Sequence, residues 1–284
     1  MIERIRCSGM AKSLIGSELA SFVKQRQAKQ VRMLRQAHGI APRLVIIKSQ
    51  RASDVINTYV RIKQRYASDI LIDVDVVACE QAAMAGAIEA ANADPTVHGI
   101  VVQLPLDEPD ATDEIVALVD PTKDVDGLGP QAVFGSATAE AIDWLLIGHD
   151  INLSDAAIVI LGRGRLVGRS LEQLWQARGW HVQAYDRRHR PSDDELCKAD
   201  VIVSATGAAH SLTSAQVGAN AVVVDAGTAS EDGAIVGDIA DELYERRDIS
   251  LTPRKGGVGP LTVTLLFEHV IQAALQRASK KSEP

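Results

Sequence analysis

The sequence predicts an α/β protein of two lobes, the second built on a doubly wound parallel sheet. Three observations carry that prediction. The first is the run Ala157-Ile158-Val159-Ile160-Leu161-Gly162-Arg163-Gly164-Arg165-Leu166-Val167-Gly168. Its five leading apolar residues read as a buried parallel strand, and a glycine turn follows at once. From Leu166 the apolar residues Val167, Leu171, Leu174 and Trp175 recur at helical spacing. The second is a set of short apolar strands at residues 181–185, 201–204 and 221–225, each followed by polar residues or glycine. The third is three strand–helix units before residue 120, enough for a separate first α/β lobe.

In chain order, residues 11–37 read as a long helix, with Leu14, Ile15, Leu19, Phe22, Val23, Val31 and Leu34 at helical intervals until Gly39 and Pro42 end it. Residues 43–47 form a short apolar strand. Ser53-Asp54 offers a helix cap, and the helix runs to about Tyr66. Tyr59 and Lys63 stand four apart on it, so both side chains leave one face. Strand character returns at 70–77 and 99–104, with an alanine-rich helix at 81–91 between them. Pro121-Thr122-Lys123-Asp124-Val125-Asp126-Gly127 is a polar, turn-forming connection, and a helix at 138–146 bridges to the second half. After the last strand region, Ser250-Leu251-Thr252-Pro253 leads to Gly256-Gly257-Val258-Gly259-Pro260 and a final apolar helix at 262–275. Its length suits packing back on the first lobe. The expected lobes are therefore residues 1–129 with the C-terminal helix 262–284, and residues 130–261.

The chain has 284 residues, 46% hydrophobic and 24% charged, ordinary for a soluble globular protein of two modest domains. No apolar run approaches the ~20 residues of a membrane helix, and Met1-Ile2-Glu3-Arg4-Ile5-Arg6-Cys7 lacks the apolar core of a signal peptide. Cys7, Cys79 and Cys197 are odd in number and lack metal-type spacing. They read as reduced thiols, so the expected location is cytoplasmic, with no membrane partner and no metal site. A net charge of −7 argues against nonspecific nucleic-acid binding. Between Arg163 and Arg190, however, seven arginines face only Glu172 and Asp186, a local +5 around the glycine turn. Glycines that let backbone approach a pyrophosphate, at the start of a helix, make this half a Rossmann-type dinucleotide-binding lobe.

Four further pieces stand out: Tyr59 with Lys63, Gln103 at a strand end, Asp126 in the connection, and the loop Gly256-Gly257-Val258-Gly259. Singly, each has a plain structural explanation. Together, Ala52-Ser53…Tyr59-Val60…Lys63, Val101-Val102-Gln103-Leu104-Pro105-Leu106, Lys123-Asp124-Val125-Asp126-Gly127, Gly162-Arg163…Val167-Gly168-Arg169 and Pro253…Gly256-Gly257-Val258-Gly259-Pro260-Leu261-Thr262 resemble, in order, the signatures of one enzyme family. It is the family of bifunctional methylenetetrahydrofolate dehydrogenase/methenyltetrahydrofolate cyclohydrolases, and the resemblance spans about residues 10–275.

The resemblance implies two α/β lobes with a folate cleft between them, a homodimer, and tetrahydrofolate derivatives as substrates. Hydride would leave the methylene bridge of 5,10-methylenetetrahydrofolate for a nicotinamide, and water would open the resulting methenyl cation to 10-formyltetrahydrofolate. Lys63 matches the catalytic lysine, with Tyr59 beside it near the pterin. Gln103 matches the glutamine that hydrogen-bonds that lysine, and Asp126 the carboxylate that anchors the pterin's donors. Gly256, Gly257 and Pro260 would touch substrate. Gly162, Arg163, Gly164, Gly168, Asp186, Arg187, Arg188, Gly207, Gly227 and Thr262 would hold the cofactor. The chemistry suits these types: a desolvated lysine moves protons near neutrality, and an acceptor-only carboxylate fits a ring edge of donors.

The sequence also departs from the family. Ser136-Ala137-Thr138-Ala139 stands where a Pro-Cys-Thr-Pro turn is usual, Lys255 where a proline is, and Gly164 where a serine is. Asp186-Arg187-Arg188-His189 replaces a His-Ser-x-Thr. Asp186 lies 24 residues after Gly162, the place of an acid that binds the ribose hydroxyl of NAD. Arg187 and Arg188 come directly after it and favour a 2′-phosphate, so the cofactor read from the sequence is NADP, with NAD the alternative. Two other readings stay open: a paralogue on this scaffold with one activity lost or a different substrate, and a noncatalytic nucleotide- or folate-binding protein. Retention of Lys63, Gln103 and Asp126 together argues against the last.

Overall fold

The computed structural model describes residues 11–227, 229–231 and 234–281; Cys7 and the rest of the N-terminal heptapeptide lie outside them. The elements in chain order are α1 (Gly16–His38), β1 (Arg43–Ser49), α2 (Asp54–Asp69), β2 (Asp73–Cys79), α3 (Met84–Ala93), β3 (Gly99–Val102), α4 (Thr112–Val116), α5 (Ala137–Gly148), β4 (Ile158–Leu161), α6 (Ser170–Ala177), β5 (Val182–Tyr185), α7 (Asp193–Lys198), β6 (Val201–Ser204), β7 (Val222–Asp225), β8 (Ala229–Glu231), β9 (Ala234–Val236), β10 (Ser250–Leu251) and α8 (Val258–Lys281). They fall into two compact units, residues 21–137 with 263–281 and residues 11–20 with 138–262.

The first unit carries a parallel three-stranded sheet in the order β2-β1-β3. The central strand β1 pairs Leu44 with Val74 on one side and Gly99 on the other, and Leu44, Val45, Ile46 and Ile47 are buried. That is why residues 44–47 are apolar without a break rather than alternating. Ser53 caps α2 by accepting the Ile56 N–H at 3.3 Å. The strand expected from residue 70 begins at Asp73, because α2 runs on to Asp69 and Leu71 turns the chain at φ +65°. Behind β3, Lys123 is buried and its Nζ donates to the carbonyls of Ala91, Asn92 and Asp94 at 2.9, 2.6 and 2.8 Å. The ammonium thus caps the C-terminus of α3.

The second unit holds a five-stranded parallel sheet in the order β10-β7-β6-β4-β5. From β4 the chain runs outward to β5, then returns to place β6 on the other side of β4. The strand order reverses there, and in open α/β sheets ligands bind outside the carboxyl ends of strands at that point. β8 and β9 form an antiparallel hairpin. The helix expected from Leu166 starts differently. The extra residue between Gly164 and Gly168 is absorbed by a π turn at Arg165–Arg169, closed by Arg169 N–H donating to Gly164 O at 3.1 Å, and α6 continues from Ser170.

Residues 11–15 are extended rather than helical. Ser13 bridges to Leu251, and Leu14 N–H donates to Leu251 O at 2.9 Å. That pairing groups residues 11–20 with 138–262, whereas the sequence predicts them in the first lobe; the other boundaries fall at 137/138 and 262/263. Ser250-Leu251 is a strand, and the short helices α4 and α7 add to the elements that the sequence pattern predicts. Among the described residues, Val258–Ser279 is long and apolar enough to cross a membrane. Its apolar residues are spent on packing, with Leu261, Leu265, Leu266, Phe267, Val270 and Ile271 at 2% exposure or less.

Candidate active site and dinucleotide site

In the first unit α2 carries Tyr59 and Lys63, both half-buried, one turn apart. Lys63 Nζ donates to Gln103 Oε1 at 2.6 Å. Gln103 is held at the end of β3, its backbone N–H on Ile47 O at 2.8 Å and its amide Nε2 on Leu104 O at 3.1 Å. The second bond turns the carbonyl end of the amide toward the lysine. Asp126 sits in a turn that Asp124 ties together by accepting the N–H groups of Gly127 and Gly129 at 3.0 and 2.7 Å. Burial lowers the pKa of Lys63, and the charge of Asp126 opposes this. Burial likewise raises the pKa of Asp126, against the charge of Lys63 and with that of Asp124. The pair is an acid and a base, each held away from its ordinary value by burial and coupled through charge. Tyr59 is pushed up by burial. Nothing in the sequence singled out His269, buried on α8 with Nδ1 2.8 Å from Val125 O; a lone histidine inside an apolar helix was the available signal.

In the second unit a cavity of about 500 Å³ opens at the carboxyl ends of β4, β5 and β6. It is lined by Gly162, Arg163, Gly164, Asp186, Arg187 and Arg188, and also by Arg190, Thr206 and Ser211, which sequence reasoning missed. Its volume suits a cofactor-sized ligand. Gly162 has φ +97°, and a Cβ there would stand 2.2 Å from Ala205 O. A Cβ on Gly168 would meet Gly162 O at 1.7 Å, so the turn closes only with glycine at both places. Gly164 meets no such restriction.

The arginines divide by partner. Arg163 is ion-paired to Glu172, Nε at 3.0 Å and Nη2 at 2.9 Å, so its guanidinium is already engaged. Arg178 is bound by the buried Asp143, at 2.5 and 3.0 Å. The side chains of Arg187, Arg188 and Arg190 have no hydrogen-bond or ion-pair partner among the described residues. Asp186 is turned into its own loop: Oδ1 accepts the N–H groups of Arg188 and His189, both at 2.8 Å, which holds its pKa below the usual carboxylate range. The set fits a phosphorylated dinucleotide: glycine backbone at the strand ends, uncommitted guanidinium forks, and a carboxylate occupied elsewhere.

The remaining expected residues do not line this cavity. Gly207 comes after Thr206 with φ +66°, and Gly227 lies against the Asp238 carboxylate. The Gly256 carbonyl receives the N–H groups of Gly16 and Ser17 at 2.8 and 2.9 Å, which satisfies the start of α1. Gly257 immediately precedes α8, and Pro260 and Thr262 lie at its N-terminal end. Among the described residues no cluster of three or more His, Cys, Asp or Glu is arranged for a metal.

A lysine–glutamine–aspartate constellation on one α/β unit and a strand-end dinucleotide site on another define a two-unit α/β oxidoreductase scaffold with acid–base capacity. Residues 14–126 match the tetrahydrofolate dehydrogenase/cyclohydrolase catalytic domain, and residues 136–278 match the family's NAD(P)-binding domain. The chain belongs to the tetrahydrofolate dehydrogenase/cyclohydrolase family. It is 34% identical to the bifunctional protein FolD of Streptococcus pyogenes, over 95% of this chain and 100% of that one. Among solved structures it resembles the bifunctional FolD methylenetetrahydrofolate dehydrogenase/cyclohydrolase of Campylobacter jejuni, at 29% identity and a TM-score of 0.86, covering 94% of this chain and 99% of that one. The bifunctional enzyme of Thermoplasma acidophilum is similar at 26% identity and a TM-score of 0.83, covering 95% and 100%.

Proposed function

We infer that this protein oxidises 5,10-methylenetetrahydrofolate to 5,10-methenyltetrahydrofolate with NADP, and hydrolyses the product to 10-formyltetrahydrofolate. The observation that carries the hydrolytic half is the Lys63–Gln103 contact at 2.6 Å beside the coupled carboxylate of Asp126. Asp126 accepts the donors on the pterin edge and so sets the substrate's orientation. Lys63, its pKa lowered by burial, accepts the proton lost as water adds to the methenyl carbon. It then delivers a proton to the nitrogen released when the carbon–nitrogen bond breaks, while the hydroxyl proton leaves to solvent as the formyl C=O forms. Gln103 holds the ammonium form in place between the two transfers, and Tyr59 forms the adjoining wall. NADP, when bound, supplies the hydride acceptor. Gly162 and Gly164 leave room for its phosphates, and Arg187 and Arg188 bind the 2′-phosphate.

A homodimeric state and a cytoplasmic location are part of the same reading, supported by the resemblance and by the free thiols Cys79 and Cys197. Separate assays of the purified protein test the activities: methenyl hydrolysis monitored by loss of the methenyl chromophore, and NADP reduction in the presence of 5,10-methylenetetrahydrofolate. Both should proceed. Hydrolysis without cofactor reduction would leave a monofunctional enzyme, and neither would leave a binding protein.

A further inference from the structure

The mechanism gives His269 no part, yet it is the buried titratable side chain held against the turn that carries Asp126. It lies on α8 at 3% exposure, and its ring stacks on Phe134 with centroids 4.9 Å apart and planes 18° from parallel. Nδ1 stands 2.8 Å from the Val125 carbonyl oxygen. A carbonyl oxygen only accepts, so Nδ1 must carry the proton, which fixes the tautomer of the neutral ring. The carbonyl it grips belongs to the peptide unit that enters Asp126. Holding that plane restricts the backbone rotation that aims the Asp126 side chain.

We propose that His269 is a positioning residue for Asp126: the Nδ1 hydrogen bond to Val125, steadied by the Phe134 stack, sets the carboxylate's aim and therefore the affinity for the pterin ring. This rests on the reading of Asp126 as the pterin contact. Within the turn, the Asp124 carboxylate engages the N–H of that peptide, and His269 holds its carbonyl end. Lys123 O receives the N–H groups of Ile100 and Val125 at 2.7 and 2.9 Å, and Asp124 holds the residues after Asp126. A histidine here is more than core filling, because a buried ring that only filled space would not need its donor on one particular carbonyl.

Four variants test it. His269→Phe keeps an aromatic ring against Phe134 and removes the donor. His269→Asn places an amide N–H near the position of Nδ1, and His269→Gln carries it to the position of Nε2. Asp126→Ala reports the pterin contact itself. The KM for 5,10-methylenetetrahydrofolate, the KM for NADP, kcat and the melting temperature are measured for each. In His269→Phe the folate KM should rise about tenfold, the loss of about one hydrogen bond's ordering, with the NADP KM and kcat changed less than about threefold. His269→Asn should restore most of the folate KM, and His269→Gln should not. An unchanged folate KM in His269→Phe would overturn the proposal, as would equal effects of Asn and Gln. If His269→Phe does not fold, the comparison of Asn with Gln decides alone. Asp126→Ala separates the two levels. If it raises the folate KM and the His269 variants do not, only the positioning role falls; if it leaves that KM unchanged, the pterin contact falls with it.

Discussion

Replacing Lys123 by Met tests whether the first lysine of Lys-Asp-Val-Asp-Gly belongs to the fold or to the chemistry. The side chain is 2% exposed, and Nζ donates to three carbonyls at the end of α3. Hydrogen bonds from a charged donor contribute about 1.5–3 kcal/mol each, net of desolvation. The contacts to Asn92 and Asp94 are only partly buried, so water takes over those two carbonyls when the ammonium is gone. The full loss falls on the buried Ala91 contact, with about 0.3–1 kcal/mol more from the charge at the helix terminus. The expected destabilisation is about 2–4 kcal/mol. Urea unfolding monitored by far-UV circular dichroism should show the first transition lowered by about 1–2 M. Trp144, Trp175 and Trp180 all lie in the other unit, so their fluorescence reports that unit separately. The fully folded variant should hydrolyse methenyl substrate like the wild type. An unmoved transition would refute the capping role, and lost hydrolysis in folded protein would place Lys123 in the chemistry.

Lys63→Ala should lower methenyl hydrolysis by about a hundredfold or more with the circular dichroism spectrum unchanged; hydrolysis within a few-fold of wild type would remove Lys63 from the mechanism. Gln103→Met removes the acceptor that favours the ammonium, so the pKa of Lys63 should fall further below its ordinary 10.5. Between the folded value and 10.5 the unfolded chain binds the extra proton, so stability rises with pH across that window. The variant's added instability should therefore be absent above pH 10.5 in urea titrations and grow as the pH falls below it; an equal penalty at every pH would mean lost packing instead. Arg187→Ala/Arg188→Ala should weaken NADP much more than NAD in binding titrations. A wild-type preference for NAD that disappears in Asp186→Ala would hand the choice to the aspartate.

Much of the local structure is legible because it depends on neighbours in sequence. The apolar run at 157–161 must be a strand buried on both faces, Ser53 must cap the helix that begins at Asp54, and the Gly162 turn must use glycine. The start of α1 is not legible in the same way. Leu14 and Ile15 continue the helical apolar spacing of α1, but this segment is drawn into extended pairing with Leu251, more than two hundred residues further along the chain, and no local pattern announces that. The π turn at Arg165–Arg169 is a middle case: the extra residue before Gly168 is visible in the sequence, and its accommodation is not.

Spacing and side-chain chemistry are enough to place most strands and helices, the glycine turns and the residue types available for proton transfer. Which charges are free to act depends on the fold. Seven arginines fall between Arg163 and Arg190, yet Glu172 claims Arg163 and Asp143 claims Arg178, while Arg187, Arg188 and Arg190 line the cavity. Lys63 meets Gln103 forty residues away, and His269 meets Val125 across more than half the chain. Composition counts charges; whether a charge is spent on a buried partner or kept for a ligand depends on distances of a few ångströms, which only the folded chain defines.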